Sequence, residues 1–316
     1  MNYDYVVVGG GSAGCTLAAR LAEDTEIRVL LLESGPVDRN LFLKLPAGVY
    51  KLASGPFATR YETHPNPSTN NRGMEMAQGH VLGGGSSING QIYTRGTPLD
   101  FDGWASEDGC ADWGWKQVLP YFKRTERNES FAGASHGTTG RLPVSDPTSM
   151  LPLSRAFLQA CQDLGMPYNP DFSSGNIEGC GPYQRTISRG RRQSTSHVFL
   201  RNAGPNLTVR TGCRVHSIIV ERGVAVGVRY AVGNAIAEAR ADREVILSAG
   251  ALATPKLLML SGIGEAAHLA SHGIPVVHDL PAVGRNLQEH SSLEATWELT
   301  GPQSFDRYRG LHWKLW

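Results

Sequence analysis

The stretch YVVVGGGSAG, residues 5–14, decides the fold of this 316-residue chain. Its first four residues form an apolar run rich in valine, which predicts a buried parallel strand. The glycines are followed by Cys15 to Ala22, a segment rich in alanine and leucine that predicts a helix. The next apolar run, Ile27 to Leu32, ends at Glu33. Strand, glycine turn, helix, strand and acidic residue together predict a βαβ unit, and hence an α/β fold of the Rossmann-like type.

The glycine turn carries the pattern G-x-G-x-x-G at Gly9, Gly11 and Gly14. The first glycine permits the tight turn, the second lets the backbone approach a pyrophosphate, and the third removes a side chain where the helix crosses the sheet. Glu33 lies 19 residues after Gly14, where a carboxylate can accept hydrogen bonds from both ribose hydroxyls of an adenosine and would repel a 2′-phosphate. We therefore expect NAD or FAD as ligand, and NADP is disfavoured. An ordinary βα turn is the alternative, but it does not explain the position of Glu33.

The composition limits the class of protein. The chain has 30 Lys and Arg residues against 29 Asp and Glu, a net charge of +1, which argues against a nucleic-acid binder because such proteins need a basic field. The five cysteines are scattered without a C-x-x-C pair, which is typical of reduced thiols and not of a disulfide framework or a zinc site. No apolar run approaches the roughly 20 residues of a membrane helix, and no basic region with a hydrophobic core opens the chain. We therefore expect no transmembrane segment, no signal peptide and a cytoplasmic location.

Beyond the first βαβ unit, the sequence predicts elements of both types. Residues 36–78 are rich in Pro, Asn, Gly and Thr, and we expect a mostly irregular connection of the kind that often covers a site. The basic run Arg189 to Arg192 is interpreted as a solvated loop, with a contact to an anionic substrate as the alternative. Apolar patterns predict helices over 113–126, 152–164 and 254–261 and strands over 207–211, 214–220, 225–230 and 244–248.

A second glycine cluster, LGGGSSING at residues 82–90, is not explained by a generic turn. Three glycines followed by two serines give a backbone that can pass close to a flat ring or a phosphate, with hydroxyls for polar anchoring. With its flanks, from Gly79 to Gly96, the stretch resembles the first signature of the glucose–methanol–choline (GMC) family of flavoenzymes. Residues 248–264, SAGALATPKLLMLSGIG, look like the second signature, and further similarity lies in 225–228 and 283–288. The resemblance is colinear and covers essentially the whole chain.

The resemblance implies an FAD bound in extended form and without a covalent link. The ADP part would lie at the first motif and the flavin against the second cluster. The backbone of Val215 would meet the adenine, although core packing explains Val215 equally well. In some relatives a histidine of the first signature is bonded to the flavin, and Ile88 occupies that position here. The cofactor-binding residues implied by position are Gly9, Gly11, Ser12, Ala13, Gly14, Glu33, Ser34, Gly85, Ser86, Asn89, Gly90, Ile92, Val215 and Ala249.

The resemblance also implies a division into two domains. Residues 1–150 and 190–290 would form the Rossmann-like FAD-binding domain, and residues 151–189 and 291–316 would begin a substrate-binding α+β domain whose C-terminal part is absent. Relatives continue well beyond the position of Trp316 and carry their catalytic base, a histidine, in that C-terminal portion. None of the ten histidines here matches that position, so we assign no catalytic residue. We also assign no metal site.

The implied function is that of an FAD-dependent alcohol oxidoreductase, which oxidises a CH–OH group to an aldehyde or ketone with transfer of hydride to flavin N5. The substrate would be a small alcohol, and the electron acceptor oxygen or a quinone-type carrier. Gln78 and Glu289 depart from the residues common in relatives, so choline-like, aliphatic-alcohol-like and aromatic-alcohol-like subfamilies all stay open. Without the catalytic portion, we expect the chain alone to be inactive. The alternatives are a catalytically incompetent FAD- or ADP-binding fragment and a hydroxynitrile lyase on the same scaffold.

Overall fold

The computed structural model describes residues 2–106, 110–290, 292–293 and 295–301, and these residues form two compact units. The first unit contains residues 2–43, 50–88 and most of 194–293. The second contains residues 44–49, most of 89–193 and the described part of 294–316. Each unit is described by itself below.

Within the described residues, the strands are β1 (Asn2–Val8), β2 (Val29–Leu32), β3 (Ala58–Glu62), β4 (Glu75–Gly79), β5 (Glu126–Asn128), β6 (Leu142–Val144), β7 (Ile187–Ser188), β8 (Arg191–Arg192), β9 (Leu207–Arg210), β10 (Cys213–Glu221), β11 (Val224–Val232), β12 (Ala235–Leu247), β13 (Ile263–Gly264) and β14 (His278–Asp279). The α-helices of the same residues are α1 (Ser12–Leu21), α2 (Leu41–Lys44), α3 (Val49–Leu52), α4 (Gly85–Ile88), α5 (Pro98–Ser106), α6 (Trp115–Thr125), α7 (Pro152–Asp163), α8 (Gly250–Leu260) and α9 (Ala266–Ser271).

The first unit is built on a six-stranded sheet with the strand order β10-β11-β12-β1-β2-β9. β12, β1, β2 and β9 are parallel, because β1 pairs in parallel with both β12 and β2, and β2 pairs in parallel with β9. β10, β11 and β12 form an antiparallel meander. The long strand β12 belongs to both parts, since its first half pairs with β11 and its second half with β1. The parallel strands, with α1 connecting β1 to β2, confirm the predicted α/β fold of the Rossmann-like type.

Apolar side chains cover both faces of this sheet. On one face, Val7 and Leu31 pack with Cys15 of α1. On the other, Val6 of β1 lies in the same cluster as Leu257 of α8. Because β1 and β2 are buried on both faces, their sequences are continuous apolar runs and not alternating patterns. Each valine or leucine that is fully buried in this way contributes about 1.5–3 kcal/mol.

Two predictions about secondary structure are wrong by more than four residues. Residues 36–78 are not mostly irregular, because β3 and β4 form an antiparallel hairpin there, in which Tyr61 pairs with Met76. Most positions of both strands are exposed or half-buried, so neither shows the apolar run by which a buried strand is recognised. The strand predicted from residue 244 begins instead at Ala235, because the earlier residues pair with β11 at the outer part of the sheet, where burial is incomplete.

The second unit contains α5, α6, α7, the parallel pair of β5 and β6, and the hairpin of β7 and β8. A buried polar network lies within it. Arg95 Nη2 donates to Glu126 Oε2 at 2.5 Å, and the ring nitrogens of His136 lie 2.9 Å from Glu126 Oε1 and 2.8 Å from Asp171 Oδ2. Glu126 is fully buried, so its carboxylate requires such partners.

The predicted domain division assigns residues to cofactor binding or to substrate binding, and it stays a prediction. Most of its 291–316 segment lies outside the described residues.

Membrane, metal and disulfide features were each predicted to be absent. Among the described residues, no helix combines the length and the apolar character needed to cross a bilayer. In the same part of the chain, no group of three or more His, Cys, Asp or Glu side chains is arranged to hold a metal ion. All five cysteines are described, and all are free thiols.

Candidate functional site

The first glycine turn joins β1 to α1 and requires glycine at two positions. Gly9 has a φ of +96°, a left-handed conformation that glycine adopts without strain, and a Cβ there would lie 2.6 Å from the carbonyl oxygen of Ser248. A Cβ on Gly14 would overlap the carbonyl oxygen of Gly9, so the close crossing of helix and strand also depends on glycine. The structural reasons predicted for these two glycines are therefore confirmed.

Gly11 differs from both, because no contact among the described residues requires glycine there. Its φ is −78°, and the nearest protein atom to a Cβ would be 3.9 Å away, at ordinary van der Waals distance. Gly11 is the N-cap of α1, and no side chain caps this end of the helix. The first N–H groups of α1, from Ser12 to Gly14, have no acceptor within the helix, and the positive end of the helix dipole lies there. The open space at Gly11 and these N–H groups fit a bound phosphate.

Glu33 follows β2 and binds two separate pieces of backbone. Its Oε2 accepts a hydrogen bond from the N–H of Gly10 at 2.7 Å, and its Oε1 accepts one from the N–H of Gly35 at 2.6 Å. The residue is 7% exposed. Oε1 also accepts a longer hydrogen bond from Ser34 Oγ at 3.4 Å. Each carboxylate oxygen can accept two hydrogen bonds, so Oε2 retains capacity for a ribose hydroxyl. The sequence predicted only a ligand contact for Glu33, and the structure adds a role in holding the glycine turn.

The second glycine cluster packs directly against the first. Gly83 and Gly84 have φ values of +89° and +51°, and the N–H of Gly83 donates to the carbonyl oxygen of Gly10 at 2.7 Å. A Cβ on Gly84 would lie 2.7 Å from the Cα of Gly11. Gly85 begins α4, and in the described part of the chain no atom outside its own helix and its chain neighbours lies within 4 Å of the position that its Cβ would take. Gly85 therefore resembles Gly11 in leaving space that protein atoms do not fill.

Ser86 holds the second cluster in place. Its Oγ donates to the carbonyl oxygen of Gly83 at 2.6 Å, and its own N–H donates to Ser12 Oγ at 3.2 Å. The N–H of Thr195 donates to Ser86 Oγ at 3.0 Å, although the two residues are 109 positions apart. These contacts give Ser86 a structural role in the loop, and its predicted contact with a cofactor stays a prediction.

Both glycine clusters open on one cavity of about 740 Å³ in the first unit. This volume falls within the roughly 300–1,000 Å³ of pockets that hold small ligands. A neighbouring cavity of about 390 Å³ shares some of its lining. The residues predicted to bind a cofactor that line the larger cavity are Gly9, Gly11, Ser12, Ala13, Glu33, Ser34, Gly85 and Ala249.

Val215 lines the smaller of the two cavities. It belongs to β10, an edge strand of the sheet, so part of the backbone of β10 has no neighbouring strand to pair with. The register of β10 against β11 shifts between Val215 and Ser217, which marks a bulge. The side chain of Val215 packs against the core, as the simpler interpretation predicted. The contact of its backbone with an adenine stays a prediction.

The hairpin of β3 and β4 supplies lining residues that the sequence did not reveal. Thr59 and Tyr61 line both cavities, and Gln78 lines the larger one. His80 follows β4, and its Nε2 lies 3.0 Å from Ser34 Oγ. The signal that could have revealed the hairpin is the composition of β3 itself, in which Thr and Tyr favour a strand.

The start of α8 is tied to the first glycine turn by Ser248. Its Oγ donates to the carbonyl oxygens of Val8 at 3.0 Å and of Gly9 at 2.8 Å. Ala249, the next residue, is the N-cap of α8 and lines both cavities. The second sequence signature is therefore part of the same site as the first glycine turn.

Three of the predicted cofactor residues, Asn89, Gly90 and Ile92, belong to the second unit. Asn89 Oδ1 accepts a hydrogen bond from Arg192 Nη1 at 2.8 Å. Apart from its chain neighbours, no described residue has an atom within 4 Å of where a Cβ on Gly90 would be, and Ile92 is 52% exposed. Their predicted contacts with a flavin stay predictions. Arg192 is 3% exposed, so the interpretation of its basic run as a solvated loop is wrong at this residue.

Cys15 is the thiol closest in sequence to the glycine turn, and it is held as a neutral group. It is fully buried, and its Sγ donates to the carbonyl oxygen of Gly10 at 3.0 Å. Burial raises the pKa of the Cys15 thiol to about 12. Because a thiolate is the reactive form of cysteine, this residue has no role as a nucleophile at neutral pH.

Comparison with curated proteins shows extended similarity along the chain. It is 40% identical over 316 residues to an oxygen-dependent choline dehydrogenase of Photobacterium profundum, with 98% of this chain and 55% of that protein covered. It is 43% identical over 294 residues to an alcohol dehydrogenase (acceptor) of Pseudomonas putida, with 91% of this chain and 53% of that protein covered. The chain thus spans about half the length of the curated relatives it matches.

Solved structures agree with the sequence comparison. Pyridoxine 4-oxidase from Mesorbium loti superposes with a TM-score of 0.85 at 36% identity, covering 89% of this chain and 56% of that one. A formate oxidase from Aspergillus oryzae RIB40, studied for its FAD modification, gives a TM-score of 0.84 at 30% identity, covering 90% and 52%. The family model described as GMC oxidoreductase matches residues 3–292. Because that match includes the glycine turn and both signatures, the chain belongs to the GMC oxidoreductase family.

Proposed function

We propose that this chain supplies the cofactor-binding part of an FAD-dependent oxidoreductase that acts on CH–OH groups. The observation that carries the proposal is the cavity at the two glycine clusters, where Gly11 and Gly85 leave space that no atom of the described residues fills. Packing and backbone conformation explain Gly9 and Gly14 but not these two, so a ligand that approaches the backbone is the remaining reason for glycine. The names of the relatives, which include choline and alcohol dehydrogenases, support this class of reaction.

The residues present suit the parts of an FAD molecule. In the proposal, the N-terminus of α1 at Ser12 and Ala13 binds the pyrophosphate, and Glu33 binds the ribose. The backbone of Val215 meets the adenine, and Gly85 leaves room for the flavin. When bound, FAD supplies the electron acceptor for oxidation of an alcohol to an aldehyde or ketone, and oxygen or a quinone-type carrier then receives the electrons.

We propose further that the FAD is held without a covalent bond. Ile88 stands where some relatives have the histidine that bonds the flavin, and its side chain is 8% exposed in an apolar cluster with Leu43, Leu52 and Val81. An apolar side chain offers no nucleophile for such a link. Denaturing the loaded protein and filtering it should therefore release all of the FAD into the filtrate, and flavin retained with the polypeptide would contradict this part of the proposal.

The domain division and the location of the protein complete the proposal. Residues 1–150 and 190–290 form the cofactor domain, and residues 151–189 and 291–316 belong to the substrate domain. The cytoplasmic location expected from the sequence also stays a proposal. No residue of the chain is assigned as the base for the hydroxyl proton, so the proposal implies FAD binding without turnover of alcohol by this chain alone.

The experiment is a visible spectrum of the purified 316-residue chain, followed by anaerobic addition of a panel of small alcohols that includes choline. We expect flavin absorbance from the protein, or its appearance after FAD is added and excess removed, and we expect no bleaching by the alcohols. A colourless protein that retains no added FAD would contradict the proposed cofactor. Bleaching by an alcohol would contradict the absence of a catalytic base from this chain.

A further inference from the structure

Two cysteines of the second unit, Cys161 and Cys180, lie side by side, one in a helix and the other in a loop. Cys161 is in the last turn of α7. Gly165 has a φ of +88°, and the N–H of Met166 donates to the carbonyl oxygen of Cys161 at 3.0 Å. This arrangement is a Schellman motif, in which a left-handed glycine ends a helix. The chain therefore leaves α7 in a sharp turn directly after Cys161.

The segment that leaves α7 holds the backbone of Cys180. The N–H of Cys180 donates to the carbonyl oxygen of Pro167 at 2.9 Å, and its carbonyl oxygen accepts a hydrogen bond from the N–H of Asn169 at 2.9 Å. Glycines on either side allow this close approach. A Cβ on Gly179 would overlap the carbonyl oxygen of Pro167, and a Cβ on Gly181 would overlap that of Asn169. Cys180 is therefore fixed close to the end of α7.

The side chain of Cys180 points at α7. Its Sγ donates to the carbonyl oxygen of Leu158 at 3.8 Å. In an α-helix a carbonyl points toward the next turn, where residue i+3 lies beside it with its side chain leaning back toward the N-terminus. Residue i+3 from Leu158 is Cys161, so the two sulfur atoms meet on one face of α7. Burial and, after it, the neighbouring Cys161 thiol raise the pKa of the Cys180 thiol, which agrees with this contact.

The two thiols differ in their access to solvent. Cys161 is half-buried, whereas Cys180 is 7% exposed. Oxidation of a cysteine pair by peroxide begins at an accessible thiol and ends at a second thiol placed next to it. Cys161 meets the first requirement, and Cys180 meets the second.

We propose that Cys161 and Cys180 form a reversible disulfide bond when the protein meets a peroxide. The Cys161 sulfur attacks one oxygen of hydrogen peroxide, the O–O bond breaks, and a sulfenic acid and one water form. The Cys180 sulfur then attacks the sulfenic sulfur, the S–S bond forms, and the sulfenic oxygen leaves as a second water. The two thiols thus lose two electrons and two protons to the peroxide, and a reducing thiol returns them by exchange.

The disulfide joins the two ends of one loop. This loop carries Asp171, whose Oδ2 lies 2.8 Å from Nε2 of the buried His136. A cross-link restricts the unfolded chain, so the oxidised protein should unfold at a higher temperature than the reduced one. Oxygen that accepts two electrons from a reduced flavin becomes hydrogen peroxide, so an oxidase reaction would supply the oxidant. The disulfide itself does not depend on the proposed function.

The experiment is mass spectrometry of the full 316-residue chain. The reduced chain is treated with hydrogen peroxide, the remaining thiols are blocked with iodoacetamide, and the chain is digested without a reductant. Trypsin cuts after Arg155 and Arg185, so both cysteines lie in one peptide, and a second cut after Glu178 separates them. We expect this peptide to carry no alkyl group, to be lighter by two hydrogen atoms, and to stay joined after the second cut. Dithiothreitol before blocking should restore labelling of both thiols.

Variants separate this pair from the other thiols. Cys161→Ser should form no disulfide, and Cys180→Ser should leave a sulfenic acid on Cys161 that dimedone captures. Cys110→Ser changes another half-buried thiol and is the matched control, in which the disulfide should form as in the natural chain. Peroxide should raise the midpoint of thermal unfolding by about 5 °C in the natural chain and in Cys110→Ser, but not in Cys161→Ser.

If Cys180→Ser does not fold, Cys161→Ser at the half-buried position carries the comparison. Alkylation of both Cys161 and Cys180 at a peroxide dose that oxidises Cys110 would overturn the inference. Oxidation of Cys161 to a sulfinic acid in the natural chain, with Cys180 still free, would overturn it as well. Because the peroxide is added directly, failure of the proposed function would appear separately, as a chain that binds no FAD.

Discussion

Oε2 of Glu33 accepts a hydrogen bond from the backbone N–H of Gly10 at 2.7 Å, although 23 residues separate the two in the chain. The carboxylate also binds the N–H of Gly35, so one buried side chain joins the glycine turn to the end of β2. Glu33 holds the glycine turn in place, and in the proposed function its Oε2 also binds the ribose.

Replacing Glu33 by Gln should lower both the stability of the fold and the affinity for FAD. A glutamine has one acceptor oxygen, so one of the two buried N–H groups would face an NH2 group instead of an acceptor. We expect the free energy of unfolding in urea to fall by about 1–3 kcal/mol. The matched control is Glu26→Gln at an exposed position, which should change it by less than about 0.5 kcal/mol. Equal stabilities of the two variants would contradict the structural role of Glu33.

Alanine at Gly14 should destabilise the fold strongly, whereas alanine at Gly11 should leave its stability almost unchanged. The Cβ at Gly14 would overlap the carbonyl oxygen of Gly9, and we expect a loss of about 3 kcal/mol or more in the free energy of unfolding. The Cβ at Gly11 would meet its nearest protein atom at 3.9 Å with a φ of −78°, so we expect a change within about 0.5 kcal/mol. Thermal unfolding of both variants without FAD checks this pair. A large loss at Gly11 would show that the protein itself requires that glycine.

The first βαβ unit could be predicted because the residues that define it lie close together in the sequence. The run of valines, the glycine spacing and Glu33 all lie within the first 33 residues, and each depends mainly on residues near it in the chain. The hairpin of β3 and β4 could not be predicted in the same way. Its strands are mostly exposed or half-buried, so the apolar pattern that indicates a strand is weak where the hairpin covers the cavity.

The pairing of Arg95 with Glu126 should matter far more than an exposed ion pair. The two side chains are 1% and 0% exposed, and Glu126 also meets His136. Arg95→Met would leave the Glu126 carboxylate buried without its main partner, and we expect a loss of about 3–5 kcal/mol in the free energy of unfolding. The comparison is Arg60→Met, which breaks an exposed pair with Glu75 and should cost less than about 1 kcal/mol. Similar losses in chemical denaturation would contradict the buried network.

Cys15 should resist alkylation for as long as the protein stays folded. Burial holds the pKa of its thiol at about 12, above the ordinary value of 9.0, so the folded state prefers the protonated form. Below about pH 9 the thiol is protonated in both the folded and the unfolded state, so it does not change the free energy of unfolding with pH. As the pH rises from 9 toward 12, the unfolded chain releases this proton first, so the free energy of unfolding falls. In iodoacetamide labelling near neutral pH, followed by peptide mass spectrometry, Cys110, which is only half-buried, should react well before Cys15. Equal labelling of the two thiols would show that Cys15 is accessible.

The supporting contacts of the site could not be predicted because they join distant parts of the chain. Ser86 meets Thr195 across 109 positions, and Asn89 meets Arg192 across 103. A local pattern reports which residues form a loop, but it does not report which remote side chain holds that loop. The glycines of both clusters could therefore be predicted from the sequence. The burial of Arg192 could not, because its neighbours in the sequence predict a solvated basic loop.

We propose that the space at Gly11 is kept open for FAD, because no described residue fills it. The most direct test is a fluorescence titration of FAD into the natural chain and into Gly11→Ala, with circular dichroism of both. We expect one FAD to bind per natural chain, and we expect Gly11→Ala to keep its fold while binding FAD at least about tenfold more weakly. Natural affinity in a folded Gly11→Ala variant, or no FAD binding by the natural chain, would contradict the claim.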